Sequence, residues 1–327
     1  MNLVPFGIKH EISKKYSIVD WIINRKIRDK IDSINADILI ASYLKSNSSF
    51  LVSRLGGTEA KFISQFLKRN PQSNLIKRPP IVLTSRNRWS KINKEVQRNA
   101  GFFYTNPHDA AHFVELYLNA LRDTDILGAW GTAFSWPEVF ALRNSELKVI
   151  NINYTAPWIE PYILDSENNV VYPWSFALKD KKVLVISPFS KSIQLQYDRI
   201  HKVFPTTYYP NFDLQVIKAP LTQGQADLEN LNWNGLLQDI IEKIRVQNFD
   251  VALISCGSYS LPLAHFVKQM GKVGIHCGGG LQLFFGIMGN RWNKSHYINS
   301  FHNKYWVRPL PEETPPGSNL VEGACYW

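Results

Sequence analysis

Short apolar runs alternate with longer stretches in which hydrophobic residues recur at helical spacing. The runs predict strands at Ser49–Ser53, Ile81–Thr84, Ile126–Trp130, Lys148–Ile152, Val183–Ser187, Leu214–Lys218, Val251–Ser255 and Val273–His276. Helices are predicted between them at Glu59–Leu67, Ile193–Val203 and Leu261–Met270, and on the stripe Leu236, Leu237, Ile240, Ile241 and Ile244. Asn106-Pro107-His108-Asp109 reads as a helix start, with Asn as cap and Pro in the first turn, for a helix reaching about Leu121. Trp21, Ile22, Ile23 and Ile27 mark a further helical segment near the N-terminus. Strands that alternate with helices predict an α/β fold: a mostly parallel, Rossmann-like sheet with helices on both faces.

The organisation expected from this pattern is a helical segment over 1–35, an α/β domain over 36–300 and a Pro-rich tail over 301–327. The Pro- and Trp-rich segment Tyr154–Ser175 is a candidate seam between halves 36–160 and 176–300. The tail ends Cys-Tyr-Trp, and terminal aromatic residues imply that it packs back on the domain.

Composition narrows the class. The 327 residues are 45% hydrophobic and 20% charged, ordinary for a globular protein. No signal-peptide core and no apolar run of spanning length is present, and the three cysteines, Cys256, Cys277 and Cys325, form no CxxC pair. The expectation is a cytoplasmic protein with free thiols. The net charge is +10, and Lys61–Arg98 holds ten Lys or Arg against the single acid Glu95. That stretch is a solvated basic face, or a contact for an acidic substrate or for anionic lipid at the inner face of a membrane. No nucleic-acid-binding motif accompanies it, so nucleic acid is not the expected partner.

Ligands of open parallel sheets bind outside the carboxyl ends of the strands. The residues there are Arg54, Gly56, Gly57, Thr58 and Glu59; then Thr132; then Ser187 and Lys191; then Gly257, Ser258 and Tyr259; then His276, Gly278 and Gly279. The Gly257-Ser258-Tyr259 turn opens a helix, where free N–H groups and the helix dipole suit a phosphate. The Gly278-Gly279-Gly280 run can wrap a ligand or make a tight turn. Glu59 and His276 are candidate acid–base groups and Arg54 a candidate phosphate fork. His108 and His112 share a helix face, but the HDAAH pattern lacks the acid of HExxH and a third ligand.

Two segments resemble a known family. Ser53-Arg54-Leu55-Gly56-Gly57-Thr58-Glu59 is similar to the Arg-aromatic-Gly-Asp-Gly-Glu signature of GT-D fold glycosyltransferases, bacterial enzymes of surface-glycan assembly. Asp250–Gly286 resembles that family's later strand, turn, helix and closing strand. The resemblance implies a GT-D-like sheet, a nucleotide-sugar donor, a glycan or lipid-linked acceptor, and Mn²⁺ or Mg²⁺ held by the Asp-x-Glu carboxylates. Arg54, Gly56 and Glu59 match the signature, whereas Gly57 stands where it has Asp and Thr58 where it has the second Gly. Three readings follow: a glycosyltransferase, a pyruvyl or phosphoryl transferase acting on glycans, and a non-catalytic glycan-binding or assembly protein.

Overall fold

The computed structural model describes residues 33–46, 48–70, 86–128, 153–155, 173–204, 209–224, 228 and 230–327. Residues 1–32 of the predicted helical segment 1–35 and the predicted strands at 81–84 and 148–152 lie outside them. Among the described residues seven strands form one sheet: β1 (Phe50–Arg54), β2 (Ile126–Gly128), β3 (Asn153–Thr155), β4 (Lys182–Ser187), β5 (Asp213–Lys218), β6 (Val251–Ile254) and β7 (Val273–His276). Their order is β3-β2-β1-β7-β6-β4-β5, and every pairing is parallel. The fold is therefore α/β and Rossmann-like.

The strand sequences read as buried on both sides, as a doubly covered parallel sheet requires. In β4, Leu184 and Ile186 enter one core while Val183 and Val185 enter the other. In β6, Ala252 and Ile254 divide in the same way from Val251 and Leu253. One core is closed by α2 (Gly57–Arg69), α3 (Arg86–Ala100), α4 (Pro107–Arg122), α7 (Trp233–Arg245) and α8 (Ser260–Gln269). The opposite core is closed by α1 (Ser33–Ser46), α5 (Ser190–Tyr197), α6 (Ile200–Val203), α9 (Leu281–Phe284), α10 (His296–Phe301) and the C-terminal residues. No helix among the described residues is long and apolar enough to cross a membrane.

Most predicted elements are present with shifted ends. Asn106 caps α4, its side chain accepting from Asp109 N at 3.0 Å, with Pro107 in the first turn. The single helix predicted at Ile193–Val203 is instead two, α5 and α6. The chain turns where Arg199 Nε folds back on Gln196 Oε1 at 2.7 Å, while Gln196 Nε2 is pinned to the carbonyls of Gly286 and Tyr305 at 3.1 Å. α3 lies within the basic stretch and was not predicted. Ile92, Val96 and Ala100 make its buried stripe, and its many cations mask that periodicity. In the same stretch Lys61 pairs with Glu95 at 2.8 Å, and residues 71–85 are outside the described residues.

Helix α8 presses unusually hard on the sheet. A Cβ placed on Gly274 in β7 would lie 2.1 Å from the main-chain oxygen of Ala264. Since both atoms belong to the backbone, no rotamer change relieves the contact. Gly274→Ala is expected to destabilise the fold by about 1–3 kcal/mol, the usual cost of overpacking. Urea denaturation measures it, and an unchanged midpoint would show that α8 retreats freely.

Candidate functional site

The site is assembled where β1 and β7 end side by side. Residues Val52 and Ile275 are register partners, so Arg54 and His276 both reach the carboxyl edge. Arg54 is 5% exposed and donates from Nη1 to the Cys277 carbonyl at 2.6 Å. Gly278, at φ +65°, lies directly over this guanidinium: a Cβ there would sit 2.8 Å from Arg54 Nη1. Only a residue without a side chain fits both the left-handed backbone and that contact.

After Arg54 the chain makes a two-residue turn and begins α2. Glu59 is the third residue of the helix, and its carboxyl folds back over the helix start. A Cβ on Gly56 would be 2.2 Å from Glu59 Oε2, so Gly56 is needed for room. The main-chain hydrogen bond of the carboxyl is to Glu59 itself, in the first turn of the helix. Glu59 is only 8% exposed, and burial pushes its pKa up to about 7. A main-chain hydrogen bond opposes that rise, and the charge of Glu322 adds to it.

His276 is equally buried, and burial, reinforced by the Arg54 charge, lowers its pKa to about 3. The ring is neutral at physiological pH. Its hydrogen bond to the Arg54 main chain favours the charged form, so the ring is the donor there. Nδ1 has no partner among the described residues. It is left as a lone-pair acceptor beside Arg54.

The second glycine of the run meets the C-terminal residues. A Cβ on Gly279 would lie 2.5 Å from Tyr326 Cε1. Arg291 sits over the Tyr326 ring at 4.8 Å and pairs with Glu322 at 2.5 Å. Glu322, Gly323 and Ala324 all have positive φ, so the tail turns sharply here. Glu322, Arg291 and Tyr326 escaped the sequence reading. The terminal aromatic pair gave the available signal, but it announced packing and not a charged neighbour for Glu59.

The other expected phosphate contacts are occupied by the protein itself. Ser258 is fully buried, its carbonyl accepting from Tyr117 Oη and its Oγ from Trp233 Nε1, both at 2.9 Å. Tyr259 stacks on Trp233 with centroids 4.9 Å apart, and a Cβ on Gly257 would be 2.6 Å from the Ala100 carbonyl. After β4, Ser187 Oγ accepts from Phe189 N at 3.2 Å. Lys191 N donates to Glu313 Oε1 at 2.8 Å, and Lys191 Nζ pairs with Glu312 at 3.1 Å. Ser192 adds its N–H and hydroxyl to Glu313. The amino end of α5 thus holds a carboxylate from the tail. Thr132 lies outside the described residues.

The divalent cation implied by the resemblance does not fit these residues. Glu59 is the lone carboxylate of the signature, and it is folded onto its own helix start. No group of three His, Cys, Asp or Glu with metal-ligand placement occurs among the described residues. His108 and His112 stand exposed on α4. Comparison with protein-family models, curated proteins and solved structures found no match.

Removing the carboxylate at the amino end of α5 leaves two main-chain N–H groups and a hydroxyl without their acceptor. Glu313→Ala should cost about 1–3 kcal/mol. It should also release the tail, seen as faster proteolysis after residue 309; wild-type stability and cleavage rate would show that water replaces Glu313 without loss.

Proposed function

We propose that this chain is a glycosyltransferase that moves a sugar from a nucleotide-sugar to a hydroxyl of a bacterial surface-glycan acceptor. One observation carries the reading: a carboxyl, Glu59, buried at the carboxyl edge of an all-parallel sheet, where loss of solvent raises its pKa to about 7. Such a group suits a general base, because it is deprotonated often enough to act and basic enough to take a hydroxyl proton. In the proposed step Glu59 takes the acceptor proton as the acceptor oxygen bonds to the anomeric carbon. The bond from that carbon to the nucleotide diphosphate breaks, and the diphosphate leaves with the electron pair. The buried Arg54, beside neutral His276, makes the edge electropositive for the leaving diphosphate. No metal step is included. Cytoplasmic work against anionic lipid, through the basic stretch 61–98, would bring the enzyme to a lipid-linked acceptor.

A second reading is favoured by a separate observation. The Gly278–Gly279 turn and the α5 amino end are filled by Arg54, Tyr326 and Glu313, which suits a glycan-binding or assembly protein without turnover. Calorimetry with UDP-, GDP- and CMP-sugars separates the two, since only the transferase needs a nucleotide-sugar. A donor-hydrolysis screen covers pyruvyl or phosphoryl transfer.

The pH dependence is specific. If Glu59 is the base, kcat/KM rises as pH passes through about 7. Glu59→Gln lowers it by about 10²–10⁴-fold and removes that limb. Stability moves the other way. The folded chain keeps the Glu59 proton up to about pH 7, whereas a solvated glutamate releases it near 4.5, so stability falls as pH rises between those values. Glu59→Gln avoids burying the charge and should stabilise the protein at pH 8 by up to about 3 kcal/mol. A variant that is inactive and also less stable at pH 8 would point to a purely structural Glu59.

A further inference from the structure

Arg54, Glu59 and His276 are 5%, 8% and 8% exposed, so in this arrangement they are closed to a substrate. Part of the chain has to move before the proposed step can take place. The segment against this edge is 322–326. Tyr326 seats on Gly279, the neighbour of the Gly278 that lies over Arg54, and the charge of Glu322 reaches Glu59.

The segment is a loop between two anchors. Before it, Val321 is fully buried and Gly317 N bonds the Gly224 carbonyl at 3.1 Å. After it, the Trp327 main-chain oxygen accepts from Asn290 N at 3.0 Å and Arg308 Nη1 at 2.9 Å, and the Trp327 indole N–H donates to the Glu313 carbonyl at 2.9 Å. Between the anchors three successive residues are left-handed: Glu322 at φ +47°, Gly323 at +69° and Ala324 at +60°. The Cβ of Glu322 and of Ala324 disfavours this region, and such backbone persists only where surrounding contacts hold it.

One residue, Arg291, touches three of the five. Its Nη2 pairs with Glu322 Oε2 at 2.5 Å and donates to Cys325 Sγ at 3.3 Å. Its guanidinium lies over the Tyr326 ring at 4.8 Å, and its main-chain N–H donates to the Cys325 carbonyl at 3.0 Å. Gln282 Nε2 adds a bond to the Tyr326 carbonyl at 3.1 Å.

We propose that residues 322–326 are an autoinhibitory strap, latched by Arg291 over the Arg54–Glu59–His276 edge, which swings out between Val321 and Trp327 to admit substrate. No strand or helix includes these residues, so the sheet and its two cores stay intact as the strap moves. The strained backbone favours release and the Arg291 contacts oppose it, which makes the strap a two-state element. Its role as a substrate gate rests on the transferase reading; its motion does not.

The strap carries its own reporter. Cys325 is 4% exposed, and burial raises its thiol pKa to about 11, so iodoacetamide alkylates it slowly while the strap is closed. Cys256 and Cys277 lie in the two cores and report unfolding of the whole domain. Arg291→Ala removes an ion pair and a cation–π contact, and should speed alkylation of Cys325, located by mass spectrometry, about tenfold. Glu322→Gln removes only the ion pair and should speed it about twofold to fivefold. Gly279→Ala unseats the Tyr326 ring, since its Cβ would lie 2.5 Å from Cε1, and should speed it about fivefold or more with Arg291 still present. Cys256 and Cys277 should keep their wild-type rates throughout. A Cys325 rate unchanged in both Arg291→Ala and Gly279→Ala would overturn the strap, as would acceleration of all three cysteines together. Calorimetry with UDP-, GDP- and CMP-sugars then tests the gate. A donor should bind Arg291→Ala about tenfold more tightly than the wild type, because apparent affinity scales with the open fraction. Equal affinity for the two proteins would overturn the gating role. Faster Cys325 alkylation with no donor bound by either protein supports the strap and counts against the transferase, so the two readings fail separately.

Discussion

The pairing of Phe50–Arg54 with Val273–His276 is the contact on which the rest of the structure depends. It joins segments more than two hundred residues apart and makes β1 and β7 neighbours in the middle of the sheet. Without it the first three strands and the last four would be separate small sheets, each with an open edge. With it, Arg54 passes beneath the Cys277–Gly278 turn and a histidine ring meets the main chain of Arg54. The two candidate halves, 36–160 and 176–300, therefore share one sheet, and the candidate site lies at their junction.

The same junction explains the electrostatics. Closing two cores over a parallel sheet excludes water from the strand ends as well as the strand centres. A carboxyl and an imidazole left there shift in the directions that suppress charge, Glu59 upward and His276 downward. Arg54 keeps its place by donating to a carbonyl, the usual solution for a buried guanidinium. Cys256 follows the rule as well: its thiol is pushed up to about 12 by burial, which makes it inert packing and not a nucleophile.

The tail then closes the carboxyl edge from outside. Glu313 satisfies the amino end of α5, Gly317 N bonds the Gly224 carbonyl at 3.1 Å, and Tyr326 seats on Gly279. Trp327 is buried, with its indole N–H donating to the Glu313 carbonyl at 2.9 Å. A segment rich in proline and poor in regular structure is thus ordered by capping groups that the sheet and its helices leave open. Its cost is that several glycine-rich turns contact the protein's own side chains.

The sequence by itself determined the strands and helices with strong periodicity, because burial on both faces writes continuous apolar runs such as VLVI at Val183–Ile186 and because Asn106-Pro107 is a local start signal. It also placed Arg54, Glu59 and His276 at strand ends, since that is a statement about order along the chain. It missed α3, whose narrow stripe is diluted by cations, and the break between α5 and α6, which Gln196 makes through distant carbonyls. Only the tertiary structure decided that Glu322 approaches Glu59, that Ser258 is spent on Tyr117 and Trp233, and that Glu313 occupies the position after β4. Each of these depends on groups far apart in sequence, and a side chain's availability is fixed by what is packed against it in space.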